Sequence, residues 1–424
     1  MGLRIAVVGA GSTYTPELVE GFARRSERLP VDELVFLDPD LQRLEPVAGL
    51  ARRMLDRVGS QTRLTVTDDR SAALDGADFV IVQLRIGGQA ARHVDETLPH
   101  RFGLLGQETT GPGGFAKALR TVPVVLDVAE ETARRAAPGA WIVDFTNPVG
   151  IVTQALLDAG ARAIGLCNVA IGLQRRLAAH FDVAAERVEL EHVGLNHLTW
   201  ERAVRVDGVD RLPDLLDREA DWLAQEMDLS ADLMRELGAI PSYYLRYFYN
   251  RDEVLAKQRQ SRSRAEEVAD IERGLLELYR DPSLDRKPEL LEHRGGAFYS
   301  EAAAQLIASL HSGGGDVQVV NVRNNGALPD LPATAVVEVP ARIDRDGATP
   351  LPLAPLAPEL RGLVQAVKAY EELAIQAALT GDRTVAVKAL LAHPLVGRFE
   401  LARDLVAALL DANRPYLPRF GSAA

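Results

Sequence analysis

The chain has 424 residues, of which 47% are apolar and 25% charged, a composition typical of globular proteins with a sizeable core rather than of disordered or fibrous ones. Its 48 Lys and Arg against 60 Asp and Glu give a formal net charge of −12, and no basic run indicates a nucleic-acid or anionic-membrane surface. The single cysteine excludes an internal disulfide and indicates a reducing compartment. Because the first apolar run is too short for a signal peptide or a membrane span, we predict a cytoplasmic protein.

The first 168 residues alternate short apolar runs with helical patterns. Helices are predicted at 16–25 and 41–58. Strands are predicted at 4–9, 33–38, 64–67, 78–84, 141–145 and 163–166. Strands rich in β-branched residues and separated by helices predict a parallel sheet covered on both faces. We therefore expect a Rossmann-type, doubly wound α/β domain over residues 1–168.

The remaining residues, 169–424, have a different pattern and predict a mixed α+β domain. Helices are expected over 213–280, with an interruption near Gly238 and Pro241, and again over 300–310 and 360–410. Strands are expected at 188–192, 198–207, 317–322 and 335–339.

The first predicted strand ends in Gly9-Ala-Gly11-Ser12-Thr13, which leads into a helix. Glycines here permit a tight turn and close approach of a pyrophosphate to the helix N-terminus. Asp38 ends the second strand, where an acid accepts a hydrogen bond from the ribose 2′-hydroxyl and favours NAD over NADP. The third glycine of the usual motif is replaced by Tyr14, and an ordinary turn with a helix-capping acid is the alternative.

Cys167 and His197 are a candidate pair of metal ligands. Cys167 follows the strand at 163–166, and His197 ends the turn Gly194-Leu-Asn-His197. A thiolate and an imidazole suit a divalent transition metal, with substrate oxygens or water completing the shell. Most single buried cysteines are inert core residues, and spacing alone favours that alternative.

Three further features each allow a functional and a structural interpretation. The glycine-rich segment 107–114 contains Glu108 and is either a ligand-contacting loop or a surface connection. Residues 241–249 contain four tyrosines, which either pack together or include a general base whose pKa is lowered by a nearby cation. Arg85, Arg92 and Arg264 could each grip a phosphate, although most arginines are solvated surface residues.

In combination and in this order, these segments resemble glycoside hydrolase family 4, the NAD- and metal-dependent glycosidases. The resemblance is carried by residues 9–17, 83–88, 107–114, 146–148, 167–168, 194–197, 241–247, 324–326 and 337–340. The residue after the cysteine is Asn168, which is similar to the 6-phospho-β-glucosidases, whereas the phospho-α enzymes usually carry Asp there. The resemblance implies that residues 169–424 bind substrate and metal and form a homodimer or homotetramer.

The resemblance also implies a role for individual residues. Cys167 and His197 would hold the metal, commonly Mn²⁺, while Tyr244 would be the catalytic base and Glu108 would increase its basicity. The substrate-binding residues would be Arg92, Asn147, Asn168 and Arg264. The NAD-binding residues would be Gly9, Gly11, Ser12, Thr13, Asp38 and Arg85.

The implied reaction is hydrolysis of 6-phospho-β-glucosides, such as cellobiose 6-phosphate, to glucose 6-phosphate and an aglycone. NAD⁺ would oxidise C3, Tyr244 would deprotonate C2, the aglycone would leave by elimination, and water addition and re-reduction would follow. No residue is identified that protonates the leaving oxygen, since Asn168 stands where the phospho-α relatives offer an acid.

Two other enzyme functions stay open at this point. One is a family 4 glycosidase acting on another sugar, an α-glucoside or a galactoside. The other is an NAD-dependent 2-hydroxy acid dehydrogenase, which would need no metal and would release NADH. A non-enzymatic NAD-sensing protein is disfavoured, because no DNA-binding helix-turn-helix or basic face is present.

Overall fold

The computed structural model describes residues 2–295 and 298–421. The strands are β1 (Leu3–Val8), β2 (Val31–Leu37), β3 (Arg63–Thr67), β4 (Phe79–Val82), β5 (Trp141–Asp144), β6 (Ala163–Gly165), β7 (Val188–Leu195), β8 (Leu198–Val206), β9 (Val209–Asp210), β10 (Ile240–Pro241), β11 (Val317–Arg323), β12 (Val336–Asp344) and β13 (Gly347–Pro350). The helices are α1 (Thr15–Ala23), α2 (Leu41–Arg57), α3 (Arg70–Leu74), α4 (Gly88–Thr97), α5 (Gly111–Arg135), α6 (Val149–Asp158), α7 (Val169–His180), α8 (Leu212–Arg218), α9 (Ala220–Met227), α10 (Ala231–Leu237), α11 (Arg246–Tyr249), α12 (Arg251–Gln258), α13 (Arg264–Arg280), α14 (Tyr299–Ser312), α15 (Pro358–Thr380), α16 (Arg383–Ala392) and α17 (Phe399–Ala412). No helix in these two ranges is long and apolar enough to cross a membrane.

The first six strands form a parallel sheet in the order β6-β5-β4-β1-β2-β3, which confirms the predicted Rossmann-type fold. Every residue of β4 and all but one of β1 are buried, because helices cover both faces of the sheet. The strand order reverses between β1 and β4. Ligands of such sheets bind at this point, beyond the carboxyl ends of the strands.

Three strands from the second half of the chain extend this sheet. β11 runs antiparallel to β6, with Asn321 opposite Gly165, and β12 and β13 follow outward. The predicted strands at 317–322 and 335–339 are therefore present, but they join the first sheet. β13 was not predicted, because Gly-Ala-Thr-Pro carries no run of β-branched residues.

The second sheet is antiparallel, in the order β10-β8-β7, with β9 paired to β8. β7 and β8 form a hairpin whose turn is Asn196-His197, since Leu195 pairs with Leu198. The predicted helical stretch over 213–280 corresponds to helices α8 to α13. Its predicted interruption is also present, because α10 ends at Leu237 and is followed by Gly238, whose φ of +58° lies in the left-handed region that glycine tolerates.

The segment 107–114, predicted as a loop, is in part helical. α5 begins at Gly111, so its glycines form the first helical turn. A Cβ at Gly113 would lie 2.3 Å from the backbone oxygen of Gln107 and 2.5 Å from that of Asp95. The glycine therefore allows the start of α5 to approach two backbone segments more closely than any side chain would permit.

A buried ionic cluster joins the two sheets. The His192 ring, on β7, lies between Glu201 on β8 and Glu338 on β12, with Nδ1 2.7 Å from Glu201 Oε1 and Nε2 3.0 Å from Glu338 Oε1. All three residues are at most 2% exposed. The two carboxylates raise the pKa of His192 to about 10 against the opposing effect of burial, so the ring is an imidazolium at neutral pH.

A second buried ion pair holds the C-terminal helix to the first half of the chain. The Arg120 guanidinium, on α5, donates to both carboxylate oxygens of Asp95 at 2.9 and 2.6 Å and to Asn413 Oδ1 at 2.6 Å. Asp95 is fully buried and Arg120 is 2% exposed.

Arg120→Met should destabilise the fold, because it leaves the Asp95 carboxylate buried without its partner. We expect a loss of about 3–5 kcal/mol in the free energy of unfolding, measured by urea denaturation. Arg134→Met, which removes an exposed i,i+4 partner of Glu130, is the matched control and should change stability very little. Equal effects of the two substitutions would contradict this account of the Arg120 pair.

Candidate active site

A cavity of about 1550 Å³ opens beyond the carboxyl ends of the parallel strands. Eleven of the fourteen predicted site residues line it: Gly9, Gly11, Ser12, Asp38, Arg85, Arg92, Glu108, Asn147, Asn168, Tyr244 and Arg264. Thr13, Cys167 and His197 do not line it. One cavity thus brings together residues from the segments after β1, β2, β4, β5 and β6 and from the region between β10 and α13.

The turn after β1 and the end of β2 are in direct contact. The Gly11 backbone N–H donates to Asp38 Oδ2 at 2.9 Å, and Asp38 Oδ1 accepts from the Asp40 N–H at 3.0 Å. A Cβ at Gly11 would lie 2.7 Å from Asp38 Oδ2, and one at Gly9 would lie 2.7 Å from the Gln83 carbonyl oxygen. Gly9 is therefore required sterically, and a Cβ at Gly11 would displace the Asp38 carboxylate. The residues at this end of the cavity fit a dinucleotide, with Asp38 in the position of the ribose-binding acid.

Thr13, in the same turn, accepts hydrogen bonds from the second half of the chain. Its side chain is fully buried, its carbonyl accepts from the Tyr279 hydroxyl at 2.7 Å, and its hydroxyl accepts from Arg294 Nε at 3.2 Å. Thr13 thus connects the first βα turn to α13 and to the segment before α14, and its side chain does not face the cavity.

Glu108 is surrounded by three cations. Arg85 binds its carboxylate directly, Lys117 Nζ lies 2.6 Å from Oε2, and an Arg92 nitrogen lies 3.2 Å from Oε1. Although burial opposes ionisation, these cations hold the pKa of Glu108 well below its usual range. Among the described residues, no hydrogen bond joins Glu108 to Tyr244. Arg92 lies near both residues: although burial opposes the shift, the charges of Glu108 and Tyr244 both raise its pKa.

Lys117 was not predicted as a site residue. It lies on the buried face of α5 and is 3% exposed, and burial lowers its pKa to about 7. A lysine flanked by apolar residues in Phe-Ala-Lys-Ala-Leu is the signal that could have identified it, because a buried ammonium requires a nearby carboxylate.

Tyr244 lies face to face with His197. Their ring centroids are 3.6 Å apart and the planes differ by 10°. The contact follows from chain geometry: β10 pairs with β8, the Ser242 N–H donates to the Thr199 carbonyl at 2.9 Å, and Tyr244 follows directly. Burial raises the pKa of Tyr244 well above its usual value, and Tyr243 raises it further. A nearby cation is therefore needed for Tyr244 to ionise.

Cys167 and His197 lie behind the cavity wall, close to Tyr244. His197 Nδ1 is 2.9 Å from the Thr109 hydroxyl, which leaves Nε2 for another partner, and burial lowers the pKa of the ring to about 4. The Cys167 thiol is buried, which raises its pKa, and it contacts Asn196 and Tyr299. Within the described ranges no cluster of three or more His, Cys, Asp or Glu side chains is placed to hold a metal. A neutral imidazole and a thiol nevertheless fit a soft divalent cation that takes its other ligands from water or substrate.

The predicted substrate-binding residues lie around the same cavity. Asn147 Oδ1 is buried and has no hydrogen-bond partner among the described residues, so it can accept from a ligand hydroxyl. Asn168 precedes α7 at the cavity wall. Arg264 begins α13, where it donates to the His293 carbonyl at 2.8 Å and lies 2.9 Å from Glu267. Arg92, already paired with Glu108, completes this group.

Comparison with known proteins identifies the family. A model described as family 4 glycosyl hydrolase matches residues 4–183, and the model of that family's C-terminal domain matches residues 192–396. The chain belongs to glycosyl hydrolase family 4. It is 41% identical to a Bacillus subtilis protein named probable 6-phospho-beta-glucosidase, over 99% of this chain and 98% of that protein. The Escherichia coli 6-phospho-beta-glucosidase is 36% identical over 99% of this chain and 97% of the relative.

Solved structures agree with this family assignment. The 6-phospho-beta glucosidase of Thermotoga maritima, solved with manganese, NAD⁺ and glucose-6-phosphate, superposes with a TM-score of 0.92. It is 37% identical, and the match covers 98% of this family 4 chain and 99% of the other chain. The malate dehydrogenase of Salinibacter ruber has a TM-score of 0.52 and 14% identity, a likeness of fold alone.

Gly11→Ala should weaken NAD⁺ binding by tenfold or more. The added Cβ would displace the Asp38 carboxylate from the first βα turn, at a cost of about 1–3 kcal/mol for overpacking. Isothermal titration calorimetry with NAD⁺ measures the effect. Gly362→Ala, at an exposed position of α15 with no atom within 4 Å of the new Cβ, is the matched control and should bind NAD⁺ normally. Normal binding by both variants would mean that this turn does not hold the dinucleotide.

Proposed function

We propose that this chain hydrolyses 6-phospho-β-glucosides to glucose 6-phosphate and an aglycone, with NAD⁺ and a divalent metal, Mn²⁺ or a similar ion, as cofactors. The single observation that carries the proposal is that one cavity contains both a dinucleotide turn, Gly9 and Gly11 with Asp38, and the Tyr244, Arg92 and Glu108 group. A dehydrogenase of 2-hydroxy acids has no evident use for a buried tyrosine stacked on His197 beside a thiol.

The charge of the cavity supports an anionic substrate. The described lining residues include eleven arginines and lysines against eight carboxylates, an excess of three positive charges on a chain whose formal net charge is −12. A dinucleotide pyrophosphate and a sugar phosphate are both anions that such a cavity attracts. The local excess of positive charge attracts anions that the negative net charge of the whole chain repels.

Identity to relatives supports the β-glucoside over the α-glucoside. Relatives named 6-phospho-beta-glucosidase are 36–41% identical, whereas the phospho-alpha-glucosidase of Clostridium acetobutylicum is 28% identical over 97% of this chain. Asn168, at the cavity wall after Cys167, supports the same choice.

The chain's own residues can perform the binding and proton transfer. Asp38 would accept from the adenosine ribose, and Asn147, Arg92 and Arg264 would hold the phosphosugar. Tyr244, in its ionised form, would remove the C2 proton of the sugar. Arg92, whose charge interacts with Tyr244, would contribute to stabilising the tyrosinate beside the bound metal. When bound, NAD⁺ supplies reversible hydride transfer at C3, and the metal supplies Lewis acidity at the sugar oxygens.

Cys167 and His197 would hold the metal in this proposal. Residues 1–168 would bind NAD and would also contribute Cys167 to the metal site and Arg92, Asn147 and Asn168 to the substrate site. Residues 169–424 would complete the substrate and metal sites and assemble into a homodimer or homotetramer. Strands β11 to β13, which extend the first sheet, would fix the NAD-binding residues relative to the substrate- and metal-binding residues.

An assay with p-nitrophenyl 6-phospho-β-glucoside tests the proposed activity. The protein is first treated with a chelator and charcoal and then supplied with NAD⁺, Mn²⁺, both or neither. We expect nitrophenol release only with both cofactors, and no net NADH, since the hydride returns to the sugar. Hydrolysis without either cofactor would overturn the mechanism, and net NADH formation from a 2-hydroxy acid would favour the dehydrogenase instead.

Tyr244→Phe should reduce kcat by about 10²–10⁴-fold, the range for loss of a general base. The wild-type enzyme should incorporate solvent deuterium at C2 of the product, and the variant should not. Tyr249→Phe is the control, because Tyr249 belongs to the same tyrosine-rich segment but does not line the cavity. Deuterium at C2 in the Tyr244→Phe product would assign the proton transfer to another residue.

A further inference from the structure

We propose that Glu338 is a positioning residue for the metal site: it orients Asn196, which lies beside the Cys167 thiol and belongs to the turn that carries His197. The inference rests on the proposed function, because it assumes that Cys167 and His197 bind the metal. It assigns a task to the segment 337–340 and to the buried His192 cluster, neither of which the proposed reaction uses.

Glu338 is a buried carboxylate with an unusually complete set of donors. Oε1 accepts from His192 Nε2 at 3.0 Å. Oε2 accepts from Asn196 Nδ2 at 2.7 Å and from Asn321 Nδ2 at 2.8 Å. The side chain is 1% exposed, so none of these bonds competes appreciably with bulk water.

Asn196 connects this carboxylate to the proposed ligands. One hydrogen of its amide is donated to Glu338 Oε2, and the amide lies near enough to the Cys167 thiol to affect its pKa. Because an amide group is planar, fixing one N–H on Glu338 fixes the direction of the other. Asn196 also precedes His197 in the two-residue turn between β7 and β8.

The backbone conformation of His197 requires support from the surrounding structure. His197 has a φ of +63°, in the left-handed region that non-glycine residues seldom adopt, and such conformations persist only where the surroundings impose them. Glu338 is linked to the segments of both proposed metal ligands. Its other amide partner, Asn321, is paired with Gly165, two residues before Cys167. One carboxylate therefore ties the strand leading to Cys167 and the turn leading to His197.

The cost of the cluster supports a task beyond stability. Two carboxylates and one imidazolium lose their hydration on burial, and apolar residues of similar volume often stabilise a core better than a buried ionic cluster does. Glu201 Oε2 has no hydrogen-bond partner within the described part of the chain, so the cluster is not optimised for stability. Groups that orient metal ligands typically change metal affinity or activity by about 10–100-fold when mutated.

The test compares Glu338→Gln with Glu201→Gln in the full chain saturated with NAD⁺. Both variants remove one carboxylate from His192, but Glu338 alone of the two bonds Asn196. Titration with MnCl₂, followed by the electron paramagnetic resonance signal of free Mn²⁺, should show affinity weakened tenfold or more in Glu338→Gln and within about threefold of wild type in Glu201→Gln. NAD⁺ affinity should be equal in all three proteins. With Co²⁺ as probe, the thiolate-to-metal absorption band should change in Glu338→Gln alone.

Asn196→Ala is the second variant, and it keeps the test decisive where Glu338→Gln does not fold. It leaves His192, Glu201 and Glu338 in place and should weaken Mn²⁺ binding tenfold or more. Mn²⁺ affinity equal to wild type in Asn196→Ala, or equal losses in the two glutamine variants, would overturn the positioning role alone. If wild type bound no Mn²⁺, or Cys167→Ser bound it as tightly, the proposed metal site would fail and the positioning role with it.

Discussion

The Glu338 carboxylate accepts hydrogen bonds from three parts of the molecule at once: β7 through His192, the turn after β7 through Asn196, and β11 through Asn321. The position of the second sheet against the first depends on this buried charge. Strands β11 and β12 belong to the same nine-stranded sheet as the parallel Rossmann-type strands. The Glu338 carboxylate therefore fixes the hairpin that carries His197 relative to that sheet. Tyr244 follows from the same arrangement, since β10 holds it against β8. The positions of His197 and Tyr244 thus depend on strand pairing in the second sheet.

Much of the fold was predictable because its signals are local. The apolar runs of β1 and β4 need helices on both faces, and that requirement alone predicts a parallel sheet. The addition of β11 to β6 is a contact between segments about 150 residues apart, which no local pattern encodes. For the site, glycine spacing and Asp38 predicted the dinucleotide turn. Lys117 was missed, because its importance depends on Glu108 being packed against it.

Electrostatics at the site differ sharply from those of the whole chain. The three cations around Glu108 keep it ionised, while burial keeps His197 neutral and Tyr244 protonated until a cation approaches. Each group therefore starts in a defined protonation state. The states of Tyr244 and Cys167 favour binding of a cation before proton transfer, since both pKa values are raised by burial. The excess of arginines and lysines over carboxylates in the cavity attracts the anionic substrate.

The extension of the first sheet across the middle of the chain has a consequence for folding. When only residues 1–168 have been synthesised, all six parallel strands are present, but β6 lacks β11 and has an unpaired edge. Exposed edges of this kind recruit other strands and lead to aggregation. In the folded chain β11 covers this edge of β6, so the late part of the chain protects the early part from such pairing.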